Sequence, residues 1–431
     1  MDNVHPLRPR GMAWLGELSR GEKGPHATVS NTLIVLGNDP ELAGLLAYDE
    51  FAHSVIISRK PPIPFSGSIT APGPYPRPCN DSDITLIQGY IQRTYDMRIS
   101  QPVAQQACAT AAEMNRVHPV RQYLAGLKWD GLPRLDNWLS VAFGAPEDAY
   151  HETIGIKFLV AGIRRIRQPG CKFDHVLVLE GTQGRGKSRS AQALFSPLWF
   201  KDDLSHDLGD KDAQQGMAGR WGVELAELQV LVRSTSQAAK SFFSRQVDHF
   251  RPSYGRSFVE RPRQCIFIGT TNETDYLSDS TGNRRYWPVR CSIADVEWIE
   301  QNRDQLWAEA AVREAQGVSL WLDDDAVRQT AETAQESRVA EDTWTQKVEK
   351  FLEGKTGVTT ADILFTGVGL AVDKMTRASE MRVAAIAKTL GWHKHDYRGD
   401  DGKKTRGWFP PGAWLPKTTP PRQVPPLGRA E

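Results

Sequence analysis

The chain has 431 residues, 40% of them hydrophobic, with 13 Trp and 15 Phe; at roughly 100–200 residues per domain this allows two to four packed domains and excludes a chain disordered throughout. The 53 Lys and Arg against 52 Asp and Glu leave a net charge of +1, which excludes a polycation, so any contact with nucleic acid must come from local patches. No run approaches the ~20 apolar residues of a membrane span and no apolar stretch follows the N-terminal charges, so a cytoplasmic location without membrane contact is expected.

In chain order, residues 1–60 read as a small N-terminal element: a polar, basic leader, then an apolar stripe over Asn31-Thr-Leu-Ile-Val-Leu-Gly37, with Asp39-Pro40 placed to start a helix. Pro61 to Pro78 is dense in Pro, Gly and Ser, and 61–80 is expected to be a linker or exposed loop. A helical domain is expected over 81–170. Asp81-Ser-Asp83 can cap a helix in which Ile84, Ile87, Tyr90 and Ile91 recur at i, i+3 and i+4. A second helix is expected over 103–116. Trp129-Asp-Gly-Leu-Pro133 breaks the pattern, and further helices are expected at 135–143 and 151–167.

The period then changes. His175-Val-Leu-Val-Leu-Glu180 is a short continuous apolar run, as in a parallel strand buried on both faces. Trp221-Gly-Val-Glu-Leu225 and Cys265-Ile-Phe-Ile-Gly269 read as further strands with helical segments between them, which predicts an α/β sheet over 171–340. Over 341–415, a helix ending at 348–352 and further helices from Thr359 and at 378–390 precede two extended segments, 393–397 and 403–409, that flank Gly399-Asp-Asp-Gly402. Helices followed by a hairpin predict a winged-helix-like module. Residues 416–431 are Pro-rich and expected to be disordered. Cys79, Cys108, Cys171, Cys265 and Cys291 show no CxxC spacing, so free thiols in a reducing compartment are expected and zinc is not.

The strongest signal is Gly181-Thr-Gln-Gly-Arg-Gly-Lys187-Ser188, which matches GxxxxGK[ST] between a strand and a helix-compatible run. Gly181, Gly184 and Gly186 let backbone N–H groups turn inward around phosphate oxygens, and a helix N-terminus adds partial positive charge. Lys187 is placed to reach β- and γ-phosphates and Ser188 to ligate Mg²⁺, so ATP and Mg²⁺ are the expected cofactors. Glu224 and Glu227 end an apolar strand. Glu224 is assigned to the metal side and Glu227 to the attacking water, with the reverse order left open. Asn272, after Thr270 and Thr271, ends another strand where it can sense the γ-phosphate. Arg284 and Arg285 follow a Gly-Asn turn, and such fixed cations suit a γ-phosphate across a subunit boundary.

Two stretches can touch DNA. The interval 233–263 holds Arg233, Lys240, Arg245, Arg251, Arg256, Arg261 and Arg263, with Phe250, Tyr254 and Phe258 interleaved. Cations track phosphates and rings stack on bases, so Lys240, Arg245, Arg251, Tyr254 and Arg256 are the expected contacts to single-stranded DNA. The C-terminal hairpin carries His393, Lys394, His395, Arg398, Lys403, Lys404 and Arg406, and Lys403 and Lys404 are the expected contacts to a duplex backbone.

Seven strings occur in one order: Trp129-Asp-Gly-Leu-Pro-Arg-Leu, Lys172-Phe-Asp-His, the glycine loop, Glu224-Leu-Ala-Glu-Leu, Lys240-Ser-Phe-Phe-Ser-Arg, Arg251-Pro-Ser-Tyr-Gly-Arg, and Gly269-Thr-Thr-Asn with Thr281-Gly-Asn-Arg-Arg-Tyr-Trp-Pro. Together, over roughly 81–314, they resemble the virulence-associated protein E family of phages, prophages and pathogenicity islands. The resemblance implies a P-loop, AAA+-like core of superfamily III helicase type, a hexamer-like homo-oligomeric ring, ATP between subunits and DNA in a central channel. It places Walker A on Gly181 through Ser188, Walker B on the Glu224 strand, sensor 1 on Asn272 and an arginine finger on Arg284 or Arg285. The Walker B strand departs from the usual adjacent acidic pair. Relatives are often linked to a primase; the short N-terminal part here carries no visible primase carboxylate motif, so a separate primase is the expected partner. The expected function is an ATP-dependent DNA helicase or translocase of mobile-element replication. The alternative is a DNA-binding initiator or interference factor in which ATP switches assembly without unwinding. A small-molecule kinase on the same loop fits the arginine pair and basic interval less well.

Overall fold

Thr28 starts the first helix: its hydroxyl accepts the Asn31 amide proton at 3.2 Å, and α1 runs over Val29–Asn38 until Asp39 ends it. The Asp39-Pro40 pair, expected to begin a helix, therefore closes one. Pro40 has no N–H to continue the ladder, and the Asp39 amide donates to Val35 O to finish the last turn. The computed structural model describes residues 13–63, 73–202, 204, 211–228, 236–251, 258–277, 282–339, 342–398 and 404–412. The chain divides into two compact units, Met1–Val339 and Ala340–Glu431.

In the first unit, β1 (Leu46–Asp49) and β2 (Ser54–Ile57) form an antiparallel hairpin, and β3 (Arg77–Pro78) pairs with β2. Helices α2 (Asp81–Tyr95) and α3 (Gln101–Glu113) follow, and β4 (Arg116–Val117) joins β1 in parallel. A capping box between Asn80 and Asp83 starts α2. Strands this short cannot bury a core without the helices. Val35, Leu36, Leu46, Ile57, Ile87, Ile91 and Cys108 share one, so the described residues before position 60 and those of α2 and α3 pack together rather than as separate domains. Of the 61–80 stretch expected to be linker, Arg77–Pro78 is sheet, and 64–72 lies outside the described residues. Among the described residues no helix is long and apolar enough to cross a membrane.

Helices α4 (Pro119–Gly126), α5 (Trp138–Phe143) and α6 (Ala149–Arg167) lead into the sheet that organises the unit. Its elements are β5 (Val176–Glu180), α7 (Lys187–Phe195), β6 (Phe200–Lys201), β7 (Gly222–Leu225), α8 (Ser236–Ser244), the antiparallel hairpin β8 (Val247–Phe250) and β9 (Val259–Pro262), β10 (Ile266–Thr271), β11 (Tyr286–Arg290), α9 (Val296–Ala315) and α10 (Asp325–Glu336). Five strands pair in the order β11–β5–β10–β7–β6, all parallel. This is the α/β class expected. The two strands not anticipated are the edges. β6 has two residues, too few for a hydrophobic run. β11 contains Pro288, which an edge strand tolerates because one side needs no ladder donor.

Strand alternation sets the two faces. Val176 and Val178 pack with Phe242, Phe243 and Phe267 on one side, and Leu177 and Leu179 pack with Phe158, Trp287 and Trp307 on the other. α6 runs close behind the second face. The Trp307 ring lies 2.8 Å from where a Cβ on Gly162 would stand, Trp221 stacks on Trp307 at 4.0 Å, and Trp221 Nε1 donates to Gly162 O at 3.0 Å. From β5 the chain crosses to the far edge at β6, returns through β7 and β10, and ends beyond β5 at β11. Such a reversal leaves a crevice outside the C-terminal ends of the central strands.

The second unit has α11 (Thr345–Leu352), a capped turn at Thr360–Asp362 continuing through Ile363–Val368, α12 (Arg377–Thr389), and an antiparallel hairpin of β12 (His393–Arg398) and β13 (Lys404–Phe409). Val348, Leu352, Ile363, Leu364, Val383 and Trp408 form its core. The expected turn 399–402 and the tail 416–431 lie outside the described residues.

Candidate active site

The glycine loop occupies the crevice, between the end of β5 and the start of α7. Gly186 caps α7 with φ 93° and Gly184 has φ 80°, backbone conformations that side chains strain to adopt. A Cβ on Gly181 would stand 2.7 Å from Cys291 O. Lys187 is buried, and its Nζ donates to Gly181 O at 2.6 Å and Thr182 O at 3.0 Å. Burial depresses the pKa of this ammonium.

Facing the loop is Glu224 on β7, only 1% exposed. Its Oε1 accepts from Ser188 Oγ at 2.5 Å and from Thr270 Oγ1 at 2.6 Å. The pairing Ile268↔Glu224 between β10 and β7 brings Thr270 within reach. Burial raises the Glu224 pKa above its ordinary carboxylate value, against the two hydroxyl donors, which lower it. Glu227 follows β7 with φ 51° and ψ 15°, a left-handed conformation uncommon outside glycine. That turn brings Glu227 to the wall of a cavity of about 630 Å³, lined also by Gly184, Gly186, Lys187, Ser188, Asp202, Glu224, Thr270 and Asn272. Glu224 and Glu227 thus stand on one cavity with different surroundings, one buried and hydroxyl-bound, the other exposed.

Asp202 was not anticipated. It follows the two-residue β6, and its charge adds to the rise in the Glu224 pKa. An acid directly after Phe200-Lys201 was the available signal, too short to read as a strand end. Thr270 stood in the strand-end string but was not singled out; strand register gives it its partner.

The raised Glu224 pKa has a consequence for stability. A carboxyl that binds its proton more tightly folded than unfolded costs stability as pH rises from its unfolded value, 4.5, through the higher folded one. Glu224→Gln keeps an oxygen for Ser188 and Thr270 without the buried charge. In metal-free buffer near about pH 8 this variant is expected to melt a few degrees above wild type, with the gap closing toward acid pH. A lower melting temperature for the variant at that pH would show that the carboxylate is favoured where it sits.

The arginine pair lies at the opposite end of the sheet. Tyr286 pairs with Val176 at the start of β11 and β5, so Arg284 and Arg285 precede the strands whose other end carries the glycine loop. The two residues separate. Arg285 is enclosed: its Nε lies 3.1 Å from Asp174 Oδ2, an ionic contact rather than an aligned hydrogen bond, and its Nη2 donates to Ser244 Oγ at 2.9 Å. The Arg284 side chain is exposed, with no partner among the described residues, while its carbonyl accepts from His175 Nδ1 at 3.2 Å.

The basic interval is largely occupied within the chain. Arg263 is buried, with a bidentate pair to Asp248 at 2.7 and 2.8 Å, its guanidinium over the Phe242 ring. Arg245 also approaches Asp248, at 3.5 Å, and Arg261 Nη1 bonds to His53 Nδ1 at 2.9 Å. The Lys240 stem packs on the Gly282 turn: its Cε lies 2.0 Å from where a Cβ there would stand. Arg251 and Phe258 are exposed where the β8–β9 pairing ends, next to Phe250 and Val259. Arg233, Tyr254 and Arg256 lie outside the described residues. In the second unit Lys394 sits over Trp408 and Arg406 pairs with Asp396 at 2.7 Å. Lys403 and the Lys404 side chain lie outside the description.

Residues 124–340, half of the chain, match the family model described as the virulence-associated protein E-like domain. Solved structures of the NrS-1 C-terminal region also match. The A form apo structure of 305–718 has a TM-score of 0.37 at 14% identity, covering 66% of this chain and 77% of that one. A second A form apo structure has a TM-score of 0.37 at 16% identity, covering 66% and 78%. A further apo structure of 305–718 has a TM-score of 0.37 at 15% identity with the same coverage, 66% and 78%. No curated protein matches the chain.

Proposed function

We propose, starting from a chain that belongs to the virulence-associated protein E-like family, that it is an ATP-hydrolysing motor acting on DNA during mobile-element replication. The observation that carries this reading is the convergence of Ser188 and Thr270 hydroxyls on the buried Glu224 carboxylate beneath the glycine loop. Hydroxyl and carboxylate oxygens are the ligands Mg²⁺ takes, and about 630 Å³ falls within the range of ligand pockets, so the residues fit Mg²⁺ and a nucleotide. Ser188 and Glu224 would hold the metal, which would supply positive charge to offset that of the phosphates.

The loop amides at Gly181, Gly184 and Gly186 cradle the phosphates, and Lys187 supplies a fixed cation to them. Glu227, exposed on the cavity wall, orients the attacking water. Asn272, at the end of β10, contacts the terminal phosphate. Arg284 acts from a neighbouring subunit, since it lies at the far end of the sheet from its own loop. This division of labour supports an AAA+-like, superfamily III-like core assembled as a hexamer-like ring with ATP at the subunit boundaries. Arg251 and Phe258, where the hairpin pairing ends, are the contacts to single-stranded DNA; the second unit, read as winged-helix-like, meets duplex, and a separate primase supplies primers.

One observation favours a second reading. Arg245, Arg261 and Arg263 are engaged within the chain, so the interval offers fewer cations to DNA than its composition implies, as an ATP-switched initiator would tolerate. Phosphate release under a titration of single-stranded DNA, followed by strand displacement, separates the two. The motor reading expects DNA stimulation that Arg251→Ala weakens, whereas Arg263→Ala destabilises the hairpin by leaving Asp248 only the more distant Arg245, at up to about 3–5 kcal/mol. Turnover without displacement selects the switch; absence of Mg²⁺-dependent turnover rejects the motor.

A further inference from the structure

The string Lys172-Phe-Asp-His175 precedes the glycine-loop strand yet lies far from the loop. Asp174 and His175 hold the arginine turn itself, and Phe173 packs on the strand that follows it. Phe173 packs edge-on against Trp287 at 5.8 Å. Asp174 is buried and approaches the Arg285 Nε at 3.1 Å, with Ser244 at the end of α8 donating to Asp174 Oδ2 at 3.4 Å and accepting from Arg285 Nη2 at 2.9 Å. His175 stacks on Trp287 at 4.2 Å with 18° between the planes, and its Nδ1 donates to the Arg284 carbonyl. Parallel pairing of Val176 with Tyr286 sets 173–175 beside 283–285.

From this geometry we infer that Asp174 and His175 are positioning residues, which seat the Arg284–Arg285 turn so that Arg284 projects toward a neighbouring subunit's nucleotide; the inference rests on the ATPase reading above. Arg285 and Asp174 have side chains 11% and 5% exposed, so neither charge can lose the other without standing uncompensated in a poorly hydrated place. Arg284 shares a peptide with Arg285, and its own carbonyl is held by His175. Its backbone is fixed on both sides while its guanidinium is exposed. Burial lowers the His175 pKa to about 4, so at neutral pH the ring is uncharged and adds no repulsion to the two arginines. β5 then carries the glycine loop at one end and this seat at the other, five residues apart, or roughly 17 Å at ~3.3 Å per residue.

The test mixes full-length variants. Asp174→Asn is expected to bind a non-hydrolysable ATP analogue as wild type does, because its own loop is untouched, and to turn ATP over about 10²-fold more slowly, the cost of a reacting group misplaced by about 1 Å. Adding Lys187→Ala protomers, which have a defective loop but a sound seat, is expected to restore turnover at Asp174→Asn loops, as it restores it for Arg284→Ala. Wild-type turnover by Asp174→Asn overturns the inference. So does a loss that Lys187→Ala protomers do not rescue while they rescue Arg284→Ala, since the defect then lies in the variant's own pocket. Should Asp174→Asn fail to bind the analogue, Ser244→Ala decides: it removes one hydrogen bond from the same guanidinium and must give a smaller loss with the same rescue, and wild-type turnover there overturns the seat. If Lys187→Ala alone hydrolyses ATP like wild type, the ATPase reading falls instead.

Discussion

Lys187→Ala is expected to lower ATP turnover by about 10²–10³-fold, the loss on removing one preorganised charge partner of a transition state, with no loss of fold. The expectation follows from where the ammonium stands. Lys187 is buried at the start of α7, and its Nζ is satisfied by Gly181 O and Thr182 O, main-chain groups of the same loop. Among the described residues no side chain pairs with it there, so truncation strands no described partner charge and leaves two loop carbonyls short of a donor. The cation is buried against the loop carbonyls, so it has little water to shed when phosphate oxygens arrive. Lys187→Arg is expected to fail as well, because a planar fork does not replace a compact ammonium inside a closed loop. Phosphate release at saturating ATP, beside thermal melting, decides the matter. Equal turnover in wild type and Lys187→Ala would remove the site from the reaction.

Arg284→Ala and Arg285→Ala are expected to part company, although the two residues are neighbours of one type. Arg284→Ala removes an exposed guanidinium and should leave the melting temperature unchanged. It should cut turnover by about 10³–10⁵-fold, the range for an arginine finger. Arg285→Ala leaves Asp174 buried without its cation and should cost about 3–5 kcal/mol of stability. In mixed assemblies, Arg284→Ala protomers should depress activity by more than their share, because each spoils a neighbour's site. A strictly proportional loss would place the arginine on its own subunit's nucleotide, and an unchanged melting temperature for Arg285→Ala would free that residue to act as the finger itself.

Much of this architecture can be read from the residues. The run Val176-Leu-Val-Leu is apolar on both faces and becomes a central parallel strand; the helices of the first unit follow their capping residues and apolar spacing. The glycine loop is legible because its chemistry is contiguous: eight neighbouring residues hold the bends, the ammonium and the hydroxyl. The ordered strings identify the family. Less can be read where an element is short or unusual, as in β6 with two residues and β11 with its proline.

What the chain determines alone is therefore local: the bends that glycine permits, the faces that apolar spacing lays down, the loop in which donors and cation are adjacent. Partner choice is another matter, since a guanidinium within one residue of another looks identical in sequence. Only the alignment of β5 with β11 sends Arg285 to Asp174 and leaves Arg284 outside, and only the alignment of β7 with β10 lays Thr270 on Glu224. Folding draws Arg263 onto Asp248 and so turns part of an apparent DNA surface into core. The reason is energetic: a charge taken out of water must find its counter-charge, and which one lies within reach is set by strands that are distant along the chain.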